Sequence, residues 1–340
     1  MKVSDLGEFG LIDLLAGIIN GSRDGQQVSW QKLLLGIGDD TAAWHGDAAV
    51  QLATVDSFIQ DVHFSLETAS WRDVGWKALA VNLSDIAAMG GQPRYALVSL
   101  AVPAHTEVKD ASALYQGMVE LAGHSGVAIV GGNTSSAPIV AITVTVLGTA
   151  AGSDNRLLAR SAASVGDKIA VTGYLGTAAA GLQMLAKRIK CSARAAAIFR
   201  ESLLRPCPRI AEGQLLVKEG AKAAIDISDG LISDLGHICQ ASRVGARLDV
   251  DRVPVAPDVR ACFGDRALEL ALAGGDEYEL LFTATGEVVA SIREAASCPV
   301  TVIGEIVDGG RIGEVSLFDK QGNPFHLSQE GWEHFAVQKI

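Results

Sequence analysis

The chain has 340 residues, too many for a comfortable single hydrophobic core, so two domains are expected. Lys and Arg number 28 against 39 Asp and Glu, a formal charge of -11 that excludes a nucleic-acid backbone as a natural partner and reads mainly as an acidic surface. Five scattered cysteines (Cys191, Cys207, Cys239, Cys262, Cys298) without a CxxC pair support neither a disulfide framework nor a zinc site, so buried reduced thiols in a cytoplasmic protein are expected. Lys2, Asp5 and Glu8 break any export-signal pattern, and no run approaches the ~20 apolar residues that cross a bilayer.

In chain order, residues 48–56 predict a strand ending on Asp56. Trp76, Leu79, Leu83, Ile86, Ala87 and Gly90 then recur at helical spacing, and Gly90, Gly91 and Pro93 supply the stop. Asn82 and Asp85 lie three apart on that helix and share a face that can hold a site. A strand over 94–102, a helix over 107–124 and a short buried strand over 127–130 follow, the last running into GGNTSS (131–136), and 139–148 is a further strand. Apolar periodicity lapses at about 151–160, which sets the expected boundary between an N-terminal domain (1–150) and a C-terminal domain (151–340). A new strand, turn and helix begins at 167, AKAAIDISDG (221–230) leads a strand through a turn into a helix over 231–243, and a strand-rich region runs to 318. This alternation predicts a mixed α/β (α+β) chain of two domains.

Eight carboxylates sit in short Gly/Ser/Thr-rich contexts: Asp39 and Asp40 in GIGDD, Asp56 in TVD, Asp85 in NLSD, Asp226 and Asp229 in DISDG, and Asp276 and Glu277 in GGDEYEL. Carboxylates placed together beside apolar runs need a cation, because like charges and desolvation both disfavour ionisation. Hard oxygen ligands without a Cys/His pattern point to Mg²⁺. Singly, each residue has a plainer reading. Asp229 suits a helix cap, His63 a satisfied core histidine, and Tyr115 and Trp332 core aromatics. GYLGTAAAGL (173–182) lacks the Lys-Ser/Thr of a Walker loop, so close helix–strand packing is favoured over phosphate binding, whereas GGNTSS fits a phosphate loop or a plain turn.

As an ordered set the motifs say more. GEFGLI (7–12), GIGDDTA (36–42), VDSFIQDVHF (55–64), KALAVNLSDIAAMGG (77–91), GGNTS (131–135), LARSAASVGDKIAVTG (158–173), RPCPRIAEG (205–213), AIDISDGLISDLGH (224–237) and GGDEYELLFT (274–283) resemble the thiamine-monophosphate kinase family of the aminoimidazole-ribonucleotide-synthetase superfamily. The resemblance implies an ATP- and Mg²⁺-dependent kinase that converts thiamine monophosphate to thiamine diphosphate. It implies Mg²⁺ ligands at Asp40, Thr54, Val55, Asp56, Asp85, Asn133, Asp226 and Asp229, and nucleotide contacts at Tyr115, Gly132, Asn133, Arg160 and Ser228. It further implies thiamine-phosphate contacts at His63, Asp276 and Trp332, and a homodimer whose N-terminal domains form a shared β-barrel while the C-terminal domain completes the site.

Three positions depart from the family pattern. Asn133 replaces a metal-binding Asp, Val55 replaces a Thr whose backbone carbonyl survives, and GGDEYEL inverts GGEDYEL, leaving Asp276 one methylene shorter. Losing one anionic ligand weakens a Mg²⁺ site. The alternatives are another ATP-using enzyme of the superfamily with a different acceptor, or a nucleotide-binding homologue without catalysis.

Overall fold

The computed structural model describes residues 1–23, 27–35, 43–44, 46, 48–151, 154–308 and 312–327, with backbone alone at 6–9, 34–35 and 43. Asp39, Asp40 and Trp332 lie outside the described residues. The chain divides into two compact units, one of residues 1–86 with 91–155 and one of 87–90 with 156 onward.

The first unit comprises α1 (Val3–Gly21), α2 (Val28–Lys32), β1 (Leu33–Leu35), β2 (Ala43–Trp44), β3 (Gln51–Ile59), α3 (Trp71–Ala88), β4 (Gly91–Val102), α4 (Val108–Ser125), β5 (Ala128–Ser136) and β6 (Ala141–Ala150). Its main sheet has the order β3-β6-β4-β5. Neighbours are antiparallel except β4 and β5, which α4 joins as a parallel crossover. The family likeness implied a β-barrel shared between two chains; in this single chain, among the described residues, the sheet is open, with β3 and β5 as its edges. GGNTSS is neither loop nor turn: it continues β5, paired with Leu97 to Val102 of β4. The glycines allow this, since a Cβ on Gly132 would stand 1.8 Å from the Val98 carbonyl oxygen. Helices α3 and α4 touch backbone to backbone, for a Cβ on Gly75 or Gly117 would lie 1.8 or 1.9 Å from the carbonyls of Leu114 and Arg72.

The second unit contains β7 (Lys168–Thr172), α5 (Thr177–Lys187), α6 (Ala193–Leu204), α7 (Ile210–Glu219), β8 (Ala223–Asp226), α8 (Leu231–Ser242) and β9 (Gly245–Asp249). It continues through α9 (Pro257–Phe263), α10 (Ala267–Ala273), β10 (Leu280–Ala284), α11 (Gly286–Ala295), β11 (Val300–Val307) and β12 (Val315–Phe318). The six-stranded order is β12-β9-β11-β7-β10-β8, with only β12 and β9 parallel. Both faces of its central strands are buried. Ile169, Val171, Ile225 and Leu281 join Phe199 and Leu235 in one core, while Ala170, Ala224, Leu280 and Phe282 join Leu216 and Val289 in another. This two-sided burial explains why these strands read as continuous apolar runs rather than alternating ones.

Glu277, counted with the site carboxylates in the sequence, has a different job. Its Oε1 accepts backbone N–H bonds from Gly176 (3.0 Å), Ala178 (3.1 Å) and Ala179 (3.4 Å), and its Oε2 accepts from the Thr177 hydroxyl at 3.2 Å. A carboxyl group from elsewhere in the chain thus caps α5, filling the position that a phosphate loop would offer to an anion. The packing reading of GYLGTAAAGL agrees with this, and Gly173 and Gly181 allow the close approaches to Glu279 and Phe199.

The cysteine expectation is corrected. Cys191 and Cys262 form a disulfide, their Cα atoms 5.7 Å apart, while Cys207, Cys239 and Cys298 are free. The partners are 71 residues apart and meet only because the segment before α6 packs near α9, so no local spacing could announce the pair. Cys207 is exposed, whereas burial pushes the Cys239 thiol up to about 11. No described helix is long and apolar enough to cross a membrane.

Closing a loop of this length is worth about 4 kcal/mol through the unfolded chain. Replacing Cys191 and Cys262 together by Ser should lower Tm by roughly 8–16 °C and abolish its response to dithiothreitol. A melting curve equally insensitive to reductant in the unmodified protein would rule the bond out.

Burial raises the Glu277 carboxyl from its ordinary 4.5 to about 8, against the lowering effect of its hydrogen bonds from α5. The folded state therefore holds this proton where the unfolded chain has lost it, so the group's stabilisation is complete below about 4.5 and fades as pH rises to about 8. The stability difference between the unmodified protein and Glu277→Gln should slope downward across that window and flatten above it. Urea titrations at a series of pH values measure this, and parallel pH profiles would sink the assignment.

Candidate active site

In the first unit, Thr54 and Asp56 share one face of β3, and Val55 between them is 59 % exposed on the other. Asp85 comes from α3, and its Oδ2 accepts a hydrogen bond from the Thr54 hydroxyl at 2.5 Å. Asp56 faces the same carboxylate. Burial foremost, then the Asp85 charge and a carboxyl–carboxyl hydrogen bond, raise Asp56 to about 6. Two carboxylates so placed are held together by a shared proton or by a cation, and the Thr/Asp/Asp donor set is all oxygen, which suits Mg²⁺. Asn82, expected to share this face, is fully buried and its amide donates back to the Ala78 carbonyl at 3.2 Å. It packs the helix, and the partly exposed Asp85 is what the helix presents.

The Nδ1 atom of His63 accepts the Ile59 backbone N–H at 3.0 Å, so in the neutral ring Nε2 carries the proton. The ring lies 5.7 Å from that of Phe58. Tyr115 is 5 % exposed on α4, and burial carries its phenol well above the ordinary range. This is the core aromatic that spacing alone suggested. Gly132 and Asn133 are exposed on β5. Asp56 and Asn133 stand on opposite edges of the sheet, with β6 and β4 between them. Three strand spacings put their backbones about 14 Å apart, too far for one ion to take both as ligands.

In the second unit the acidic turn follows β8. Asp226 ends the strand and is 3 % exposed, because its neighbours Ile225 and Ile227 are core residues. Ser228 and Asp229 are half-buried in the turn before α8. Backbone bonds tie this turn to the segment before β10: Asp276 N–H donates to the Ser228 carbonyl at 2.8 Å and Tyr278 N–H to the Ile227 carbonyl at 2.9 Å. Asp276 has φ +66°, a left-handed conformation that Asp tolerates better than Glu, and its Oδ1 accepts the Tyr278 hydroxyl at 2.9 Å. Gly275 permits the approach, since a Cβ there would lie 2.3 Å from the Ser228 carbonyl oxygen. Arg160 is exposed, and its carbonyl accepts the Ser242 hydroxyl at 2.8 Å.

Two residues of this site escaped the sequence reading. Asp234 is 1 % exposed, and its carboxyl is raised to about 8 by burial first and then by the charges of Asp226 and Asp229. Ligand atoms of Asp229, Asp234 and His237 lie within 4.8 Å of one another. The usable signal was the three-residue spacing of Asp234 and His237 at the start of α8. What the sequence could not reveal is that Asp234 turns back toward the turn rather than outward.

Known proteins match along most of the chain. The family AIR synthase related protein, N-terminal domain, matches residues 38–152, and its C-terminal domain counterpart matches 164–316. The thiamine-monophosphate kinase of Escherichia coli strain K12 is 37 % identical over 340 residues, covering 97 % of this chain and 99 % of that protein. The crystal structure of thiamine-monophosphate kinase from Stenotrophomonas maltophilia K279a is similar with TM-score 0.78 and 37 % identity, over 90 % of this chain and 95 % of that one. The structure of AaThiL complexed with AMPPCP and TMP is similar with TM-score 0.75 and 31 % identity, over 98 % and 99 %. On sequence and fold together, the chain belongs to the AIR synthase related proteins and, among them, to the thiamine-monophosphate kinase family.

Proposed function

We propose that the chain transfers the γ-phosphoryl group of ATP to thiamine monophosphate, giving thiamine diphosphate and ADP. The observation that carries this is full-length kinship with thiamine-monophosphate kinases combined with an acidic group in each unit whose carboxylates crowd one another. An oxygen of the acceptor phosphate attacks the γ-phosphorus while the β–γ bridging bond breaks. The attacking oxygen is already ionised, so no side chain has to remove a proton, and alignment with charge neutralisation supplies the catalysis.

Asp56, Asp85 and Thr54 in the first unit, and Asp226 and Asp229 in the second, are the proposed Mg²⁺ ligands, with Asp40, the Val55 carbonyl and Asn133 added by family likeness. Mg²⁺, when bound at these residues, would supply the charge neutralisation that the crowded phosphate oxygens need. Ser228, Arg160 and Gly132 are assigned to the nucleotide, Arg160 as an exposed cation for a phosphate. His63, through its Nε2 proton, and Asp276 and Trp332 are assigned to thiamine monophosphate. A homodimer through β3 is supported by the place of this nine-residue strand at an edge of the sheet among the described residues, with Val55 exposed on it. The first unit is the proposed dimerisation and nucleotide- and metal-binding part, and the second is proposed to contribute Asp226, Asp229, Ser228 and Asp276 to the chemistry.

Purified protein given ATP with and without thiamine monophosphate tests the reading, and thiamine diphosphate formation is the expected result. Asp85→Asn and Asp226→Asn should each lower turnover by about 100-fold or more without loss of fold, since each removes charge stabilisation that the transferring phosphoryl group needs. Near-normal turnover at limiting Mg²⁺ in either variant would refute the metal assignment, and ATP consumption with a different acceptor alone would point to another superfamily activity.

Asn133→Asp should lower the Mg²⁺ needed for half-maximal rate by a few-fold, because it restores one anionic ligand. Its effect should add to that of Asp56→Asn without coupling, given the separation of about 14 Å. Measured coupling above about 0.5 kcal/mol in the double-mutant cycle would show that the two residues serve one ion.

A further inference from the structure

The turn that carries Ser228 and Asp229 has three consecutive backbone N–H groups aimed at one atom. Those of Ser228, Asp229 and Gly230 donate to Oδ2 of Asp234 at 3.1, 3.2 and 3.1 Å. The Asp234 N–H donates in return to the Gly230 carbonyl at 3.0 Å, closing the first turn of α8. The opposite side is equally constrained. Gly230 has φ +124°, and a Cβ there would stand 2.8 Å from the Ala273 carbonyl oxygen. Successive N–H groups converging in this way form a concave anion site of the sort that binds phosphate. Here the chain's own carboxylate occupies it.

We propose that Asp234 is a positioning residue: through one carboxylate oxygen it fixes the backbone of the 228–230 turn, and so the direction in which Ser228 and Asp229 are presented. This rests on the reading that Asp226 and Asp229 hold a divalent cation. The three donors already exceed the two lone pairs of Oδ2, so that oxygen has none to give a metal. The side chain is buried, as a support for ligands must be, whereas Asp229 beside it is partly exposed. The hydrogen-bond acceptor at that point in space is therefore what matters, more than the charge state of the group. Partners of this kind behind metal ligands typically govern affinity by 10–100-fold.

A crossed pair of variants separates shape from charge. Asp234→Asn keeps an acceptor oxygen in place and loses the charge, while Asp234→Glu keeps the charge and displaces the oxygen by one methylene. In the full-length protein, Mn²⁺ binding followed by electron paramagnetic resonance should stay within about threefold of normal in Asp234→Asn and weaken about tenfold or more in Asp234→Glu. The Mg²⁺ concentration for half-maximal turnover should move in parallel. Should Asp234→Glu not fold, Asp234→Ala takes its place with the same expectation. In the unmodified protein the amides of Ser228, Asp229 and Gly230 should exchange hydrogen slowly. The proposal is overturned by a loss in Asp234→Asn as large as in the other variant, by normal Mn²⁺ binding in Asp234→Glu or Asp234→Ala, or by exchange of those amides at open-loop rates. Mn²⁺ binding and exchange need no thiamine monophosphate, so a protein that shows this pattern but makes no thiamine diphosphate would fail the kinase reading alone.

Discussion

Repulsion among enclosed carboxylates is the constraint around which both units are organised. Asp56 and Asp85 are forced together where β3 meets α3, and Asp226, Asp229 and Asp234 crowd the turn after β8. In each place burial is the largest cause of the raised pKa and the neighbouring carboxylates add to it. Such groups cost stability unless hydrogen bonds, a shared proton or a bound cation compensates. The two units meet this differently. The first pairs its carboxyls directly and leaves them partly exposed, whereas the second directs backbone N–H groups at one of its three.

The acidic positions are held by features that have no charge at all. Gly275 brings the chain against the Ser228 carbonyl, Gly230 brings it against Ala273, and Gly132 lets β5 run alongside β4. Each would be filled by a single methyl group, so the positions of Asp276, Asp229 and Asn133 depend on neighbours with no side chain. Glu277 belongs with these supports. By capping α5 it ties the segment before β10 to the turn and helix after β7, while Arg209 ties the start of α7 to that segment through Glu279, which also accepts the Thr172 hydroxyl at 2.6 Å.

Much of this was legible in the sequence, for identifiable physical reasons. The helices expected around Trp76 to Gly90 and over 107–124 and the strands expected over 48–56, 94–102 and 139–148 correspond, with shifted ends, to Trp71–Ala88, Val108–Ser125, Gln51–Ile59, Gly91–Val102 and Ala141–Ala150, because their apolar periodicity matches the elements they form. Asp56, Asp85, Asp226 and Asp229 stood out because a carboxylate beside an apolar run needs a partner. The misses have equally concrete causes. GGNTSS was taken for a loop because Gly, Asn and Ser favour turns, but strand pairing to β4 overrode local preference. Glu277 and Cys191 depend on partners about a hundred and 71 residues away, and no spacing rule reaches that far. Asp234 was hidden by its ordinary place in the first turn of a helix, where an acidic residue is expected on dipole grounds alone.

The inverted GGDEYEL sequence, which looked like damage to a substrate contact, fits its backbone well. The first of the two acidic residues must sit at φ +66°, where the short side chain of Asp276 is tolerated better than a longer one. The second must reach the N-terminus of α5, and the extra methylene of Glu277 lets it do so. The exchange of Glu-Asp for Asp-Glu therefore keeps both local requirements, and the number of carboxylates in the segment does not change. Asn133 is different in kind. It stands exposed on β5, and its edge of the sheet is remote from the Asp56 and Asp85 pair. If the chain has diverged in its metal requirement, the cause lies at that edge and not in the segment before β10.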